Sequence, residues 1–336
     1  MAQLLLEQAL RLAVTSATAP PPPAAPAPAP APAAGLHASD AGRTAQQQQQ
    51  QLRLASFSTN YASIAVLKML PTRSLTHLQF NLAGAQPSEY HAAADVLASF
   101  SNLQQLQLEK TSSWQTPAAV GIILAGIAQL SKLTQLHLLA QPPPLQQLQQ
   151  LLHPLPLDLT AITQLEELVT DELHPESVLP GQLRELTLTY INTPGCWRPF
   201  FALRQLQRLS MRLVMDYGAT DAVLRLAAQL ATLTHVSLEY TYECLSGLTG
   251  LRDLCITEHS MLAPGDALAL TNLTRLVLGV MCDGVDDVAA AAIALNLTQL
   301  RHLGLRWCAL GSADGDLAEV GELVPLSELH LEGNSS

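Results

Sequence analysis

Apolar and polar positions along this chain fall into one short phrase, Leu-x-x-Leu-x-Leu, which recurs from the first third of the sequence to its end. It opens at Leu75, Leu103, Leu133, Leu165, Leu183, Leu206, Leu233, Leu251, Leu273, Leu300 and Leu326. Successive openings lie 28, 30, 32, 18, 23, 27, 18, 22, 27 and 26 residues apart. The x-Leu-x-Leu-x centre alternates with period two, so it predicts a short strand with both leucines on one side. A phrase returning every roughly 20–30 residues predicts a solenoid, in which each unit buries its apolar edge against its neighbours. The strands should stack as a parallel sheet over a continuous inner core. Each buried leucine there contributes roughly 1.5–3 kcal/mol.

The copies read Leu103-Gln-Gln-Leu106-Gln-Leu108, Leu133-Thr-Gln-Leu136-His-Leu138, Leu183-Arg-Glu-Leu186-Thr-Leu188 and Leu300-Arg-His-Leu303-Gly-Leu305. Phe80, Met211, Val236 and Ile256 replace a leucine elsewhere, and Thr170 is the one polar intruder. In these residues the chain resembles the leucine-rich repeat family over about residues 75 to 334. The resemblance implies an α/β solenoid, a curved horseshoe with parallel β-strands on the concave face and helices and extended segments on the convex face. The family often places Asn or Cys at the ninth phrase position. Only Cys308 and Asn334 comply here, so the family's carbonyl-bonding asparagine ladder is not implied for this chain.

Between the phrases, helix signals mark the outer side. Asn60 to Leu70 reads as a helix closed by Pro71, and Ser88-Glu89 starts one with Ala92, Val96 and Leu97 inward. Thr116 caps and Pro117 opens a helix reaching Leu130. Thr220-Asp221 precedes Ala222 to Leu230, and Asp286-Asp287 precedes Val288 to Leu295. The 18-residue repeats from Leu165 and Leu233 leave no room for a helix, so extended chain or a 3₁₀ turn is expected, and unequal lengths predict uneven curvature. The proline-rich interruption from Gln141 to Thr163 holds helix at best over Leu145 to Leu152. A degenerate first repeat is expected from Gln49, with Leu52 and Leu54 at the fourth and sixth positions. The domains are thus a short amphipathic helix over 1–15, a disordered Pro/Ala- and Gln-rich tether over 16–48, and the repeats over 49–336. No polar capping repeat follows Leu331, so the last core layer should lie bare, the array continuing in a partner or cut short.

Charge narrows the partner. The formal net charge is −11, and no basic stripe is available to displace counterions, so neither nucleic acid nor an anionic membrane is expected. No stretch reaches the ~18 apolar residues of a membrane span. Five cysteines, an odd number without a C-x-x-C pair, point to reduced thiols and a cytoplasmic location.

With the leucines of positions four and six inward, the residues at three, five, seven and eight reach the concave face or its rim. Acids on these columns (Glu109, Glu167, Asp171, Glu172, Glu185, Glu239, Asp253, Glu258, Glu328 and Glu332) outnumber the bases Lys110, Arg208, Arg212, Arg275 and Arg306. This suggests a protein partner with a basic patch. Aromatic and arginine side chains favour binding hot spots, which singles out Tyr190, Arg212, Tyr240, Arg306 and Trp307. With Glu167, Asp171, Glu185, Glu239, Asp253 and Arg275 they form the candidate protein-binding set. No phosphate loop, H-E-x-x-H helix or G-x-S-x-G elbow occurs, so no catalytic residue, cofactor or small-molecule ligand is expected. Nor is a metal expected: His137, His235, His302 and His330 stand in separate repeats, and Asp314-Gly-Asp316 reads as a turn. Cys255 lies at a position where a reactive thiol could sit. The reading is a non-enzymatic interaction scaffold or recognition module. Two narrower roles used by families with such repeats are the substrate-recognition arm of an F-box ubiquitin ligase and a structural component of the ciliary axoneme.

Overall fold

The computed structural model describes residues 54–59, 64–82, 88–110, 116–140, 155–191, 198–214, 224–239, 245, 247–257, 269–279, 293, 295–306 and 326–332. The amphipathic helix over 1–15, the tether, the 145–152 helix, the caps at 220–221 and 286–287 and the 314–316 turn lie outside them. So do Tyr240 and Trp307.

Each phrase forms a strand that begins at its third position. The order is β1 (Ser56–Thr59), α1 (Ile64–Met69), β2 (His77–Asn81), α2 (Glu89–Ala98), β3 (Gln105–Lys110), α3 (Pro117–Ile127), β4 (Gln135–Ala140) and β5 (Glu167–Thr170). Then follow β6 (Glu185–Ile191), a 3₁₀ turn at Arg198–Ala202, β7 (Arg208–Val214), β8 (His235–Leu238), β9 (Asp253–Ile256), β10 (Arg275–Leu278), β11 (His302–Arg306) and β12 (Glu328–Glu332). The strands build one open sheet in strict chain order from β1 to β12, and the pairs are parallel with matching phrase positions opposite one another. The register follows from side-chain sorting, because a slip of one residue would turn every leucine to the wrong face.

The leucine phrases supply the core. Leu75, Leu103, Leu133, Leu165, Leu183 and Leu273 at the first position are fully buried, as are Leu106, Leu136, Leu168, Leu254 and Leu276 at the fourth. Thr170 is buried with them, between Leu138 and Leu188.

The sheet is stitched along one edge by a repeated carbonyl. The N–H groups of positions two and three both donate to the position-two carbonyl of the preceding repeat, as Gln104 and Gln105 do to Thr76 and Arg301 and His302 do to Thr274. Hydroxyls add a third donor to the same oxygen: Thr76 to Ala55 at 2.9 Å, Thr274 to Arg252 at 3.0 Å and Ser327 to Arg301 at 2.9 Å. Two residues earlier in the repeat, Asn272 donates to the Thr249 carbonyl at 2.8 Å and Gln182 to that of Ile162 at 3.2 Å. This ladder of Thr, Ser, Asn and Gln satisfies carbonyls at the strand entrance, the task an asparagine ladder would have done elsewhere in the repeat.

The helices cover the other side of the core. Thr116 caps α3 by accepting from Ala119 N–H at 3.3 Å, with Pro117 in the first turn. α2 and α3 lie close together, and Gly126 permits it: a Cβ there would stand 2.6 Å from the Ala94 carbonyl oxygen. α2 buries Leu97 and packs Val96 against the core as expected, and it buries Tyr90, Ala93 and Ala94 beside them while Ala92 is only half-buried. The short repeat from Leu165 carries no helix. Its outer segment is extended and pairs by a single bridge, Asp158 to Val178.

Two expectations are corrected. β1 sets Phe57 opposite Leu78 and Thr59 opposite Phe80, so Leu54 takes the first phrase position; Leu52 and Leu54 do not take the fourth and sixth. Spacing alone favoured Gln49, but pairing with β2 selects the frame that turns Phe57 toward the core. Asp171 does not reach the sheet surface. β5 stops at Thr170, the chain bends at Asp171, and both Asp171 and Glu172 are buried at 4% exposure and engaged within the fold.

Candidate functional site

The face of the sheet opposite the leucine core, called the front here, carries phrase positions three, five and seven. Position three runs Gln135, Glu167, Glu185, Arg208, His235, Asp253, Arg275, His302, Glu328 from β4 to β12, each residue in register with the next. Parallel pairing therefore makes side-chain neighbours of residues 18 to 32 positions apart in the chain.

Several expected contact residues are brought together as ion pairs. Arg275 Nη1 donates to Asp253 Oδ1 at 3.0 Å, Arg208 Nε lies 3.6 Å from Glu185 Oε1, and Arg306 Nε lies 3.3 Å from Glu332 Oε2. All are partly exposed, so each is worth roughly 0.2–1 kcal/mol. His137 Nε2 meets Glu167 Oε1 at 3.2 Å. Asn81, buried at the seventh position of β2, donates to Glu109 Oε2 at 2.8 Å.

This pairing splits the face into zones. On β7 to β11, arginines offset the neighbouring carboxylates. On β5 and β6, Glu167 and Glu185 stand side by side in register, flanked by His137 and Arg208, and Glu166 precedes β5 at the sheet entrance. Arg184 stands beside Glu166 at that entrance and Arg208 pairs with Glu185, so of the two adjacent front carboxylates only Glu167 has no arginine partner among the described residues. Like charges on adjacent strands are unfavourable to the sheet. Arg212 is exposed on β7 and Glu239 half-buried after β8; Tyr190 is placed in β6 by its backbone, opposite Leu213.

Cys255 occupies the fifth position of β9 between Ser237 and Val277. Burial pushes its thiol above the ordinary cysteine range, only partly countered by the Arg275 charge. Desolvation disfavours the thiolate, so this is not an activated nucleophile. On the helix side a shallow hollow of about 330 Å³ is lined by Ala227, Ala228, Leu230, Leu248, Thr249 and Gly250 among others, with no acid, base or thiol. Among the described residues, no helix is long and apolar enough to cross a membrane.

Sequence reasoning missed the hydroxyl ladder at position two, although its signal is present as the column Thr76, Thr134, Thr234, Thr274, Ser327. It also missed the meeting of His302, Glu328 and His330. The nitrogen and oxygen atoms of these three lie within 4.8 Å of one another.

The architecture is a leucine-rich-repeat solenoid: one parallel strand per phrase, a leucine core behind the sheet and a polar face in front. No family model matches the sequence, and no curated protein matches it significantly. A solved structure similar to it is the crystal structure of a TLR13–ssRNA13 complex. The two share 15% identity with a TM-score of 0.27, over 82% of this chain and 57% of that one. A likeness at that level says nothing of this chain's ligand, and the RNA is that protein's own.

Proposed function

We propose that this chain is a non-enzymatic protein-recognition module whose acidic front sheet face grips the basic patch of a partner protein. The supporting observation is the pair Glu167 and Glu185, held side by side on neighbouring strands of an unbroken sheet. A lysine or arginine from a partner, placed between the two carboxylates, relieves the repulsion that His137 and Arg208 leave and forms charge-assisted hydrogen bonds to both. Tyr190, Arg212, Glu239, Tyr240, Asp253, Arg275, Arg306 and Trp307 are the remaining contact candidates. Asp171 drops out because it is buried.

The test compares the tagged wild-type chain with Glu167→Lys plus Glu185→Lys by affinity purification and mass spectrometry, followed by titration of the recovered partner. Both side chains are partly exposed, so circular dichroism should be unchanged. Binding should fall by about tenfold or more, mainly through the association rate and most at low salt. An identical partner set with identical affinity would refute the proposal. The recovered proteins also separate the narrower roles: a ubiquitin-ligase adaptor among the variant-sensitive partners indicates a recognition arm, and axonemal proteins indicate a ciliary component.

A further inference from the structure

We infer that His302, Glu328 and His330 form a binding site for a divalent transition metal of the zinc type on the front face at β11–β12. Register creates it. His302 at the third position of β11 is opposite Glu328 at the third position of β12, and His330, two residues further along β12, projects from the same face by strand alternation.

His302 Nδ1 lies 2.7 Å and His330 Nε2 lies 3.6 Å from the same oxygen, Glu328 Oε2. The imidazole centroids are 5.1 Å apart at an interplanar angle of 37°. Around a tetrahedral zinc with bonds of about 2.0–2.1 Å, ligand atoms stand about 3.3 Å from one another. The two present separations bracket that value and all three ligand atoms lie within 4.8 Å of one another, so side-chain rotation can bring them around one ion. The residue opposite His330 on β11 is Gly304, which puts no side chain beside the imidazole. Glu328 and His330 are more than half exposed, which leaves the remaining coordination positions open to water.

The surrounding charges permit this. Arg275, the neighbour of His302 on β10, is held by Asp253 on its far side, and Arg306 is paired with Glu332. Two imidazoles and one carboxylate suit zinc, nickel or copper, whereas calcium and magnesium require oxygen sets.

The experiment is calorimetric titration of the full chain with zinc chloride in a non-chelating buffer, with the cobalt(II) absorption spectrum as a second readout. One saturable equivalent is expected, lost in His330→Ala and Glu328→Gln but retained in His235→Ala. Even an outer-shell change at such sites costs about 10–100-fold in affinity, so loss of a ligand should weaken binding at least tenfold. A matching loss of the cobalt d–d bands would place the ion on these residues. Absence of saturable binding, or binding unchanged by both variants, would overturn the inference. The Glu167 and Glu185 variants leave this site intact, so the two proposals fail independently.

Discussion

Truncating Leu254 to alanine tests the stacked core most directly. Leu254 is fully buried at the fourth position of β9, with Val236 on one side in register and Leu276 on the other. Removing three carbons forfeits about 2.4 kcal/mol of transfer free energy at about 0.8 kcal/mol per methylene. The two flanking strands restrain collapse into the void, so a cavity contribution brings the expected loss to about 3–5 kcal/mol. Leu329 occupies the same phrase position in β12, but it is 36% exposed at the sheet edge with one strand neighbour. Its truncation should therefore cost only about 1 kcal/mol. Leu254→Asp should exceed both, because its carboxylate would be surrounded by aliphatic side chains. Urea unfolding followed by circular dichroism measures the losses, and native-state hydrogen exchange should localise the damage to β8–β10, since each unit is coupled to its neighbours. Equal costs at Leu254 and Leu329, or a Leu254→Ala loss below about 1 kcal/mol, would refute the inward register.

Gly126→Ala should lower the melting temperature, at a cost of about 1–3 kcal/mol, because the new methyl meets the Ala94 backbone and α2 must retreat from α3; a gain in stability, as helix propensity alone would give, rejects that close approach. Tyr90 is buried with a hydroxyl that makes no hydrogen bond to any described residue, so Tyr90→Phe should be neutral or stabilising by up to about 1 kcal/mol in thermal unfolding, and a clear loss would contradict it. Thr116→Ala removes the α3 cap and should cost about 1 kcal/mol by the same assay; no change would mean that the 3.3 Å bond contributes nothing. Cys255 should react slowly with iodoacetamide at pH 7 in the folded chain: its raised thiol pKa leaves less thiolate than an ordinary cysteine, and the rate should climb as pH rises. Peptide-level mass spectrometry reads this, and folded-state labelling as fast as in urea would overturn it.

Spacing and alternation along the chain already determined that strands would start two residues after each opening leucine, that the apolar residues of positions four and six would share one side, and that Thr116 and Pro117 would begin a helix. These are local properties: a period of two sorts a strand's side chains whatever lies beside it, and a cap needs only its own first turn. Tertiary structure decided what stands next to what. Pairing with β2 moved the first repeat to the Leu54 frame, and the chain bend after β5 took Asp171 inward. Register also converted the acids and bases of separate repeats into the pairs Glu185–Arg208 and Asp253–Arg275, set Glu167 against Glu185, and gathered His302, Glu328 and His330. Residues 18 to 32 positions apart become neighbours only when two strands align, and that alignment is set by burying the leucine stack as a whole.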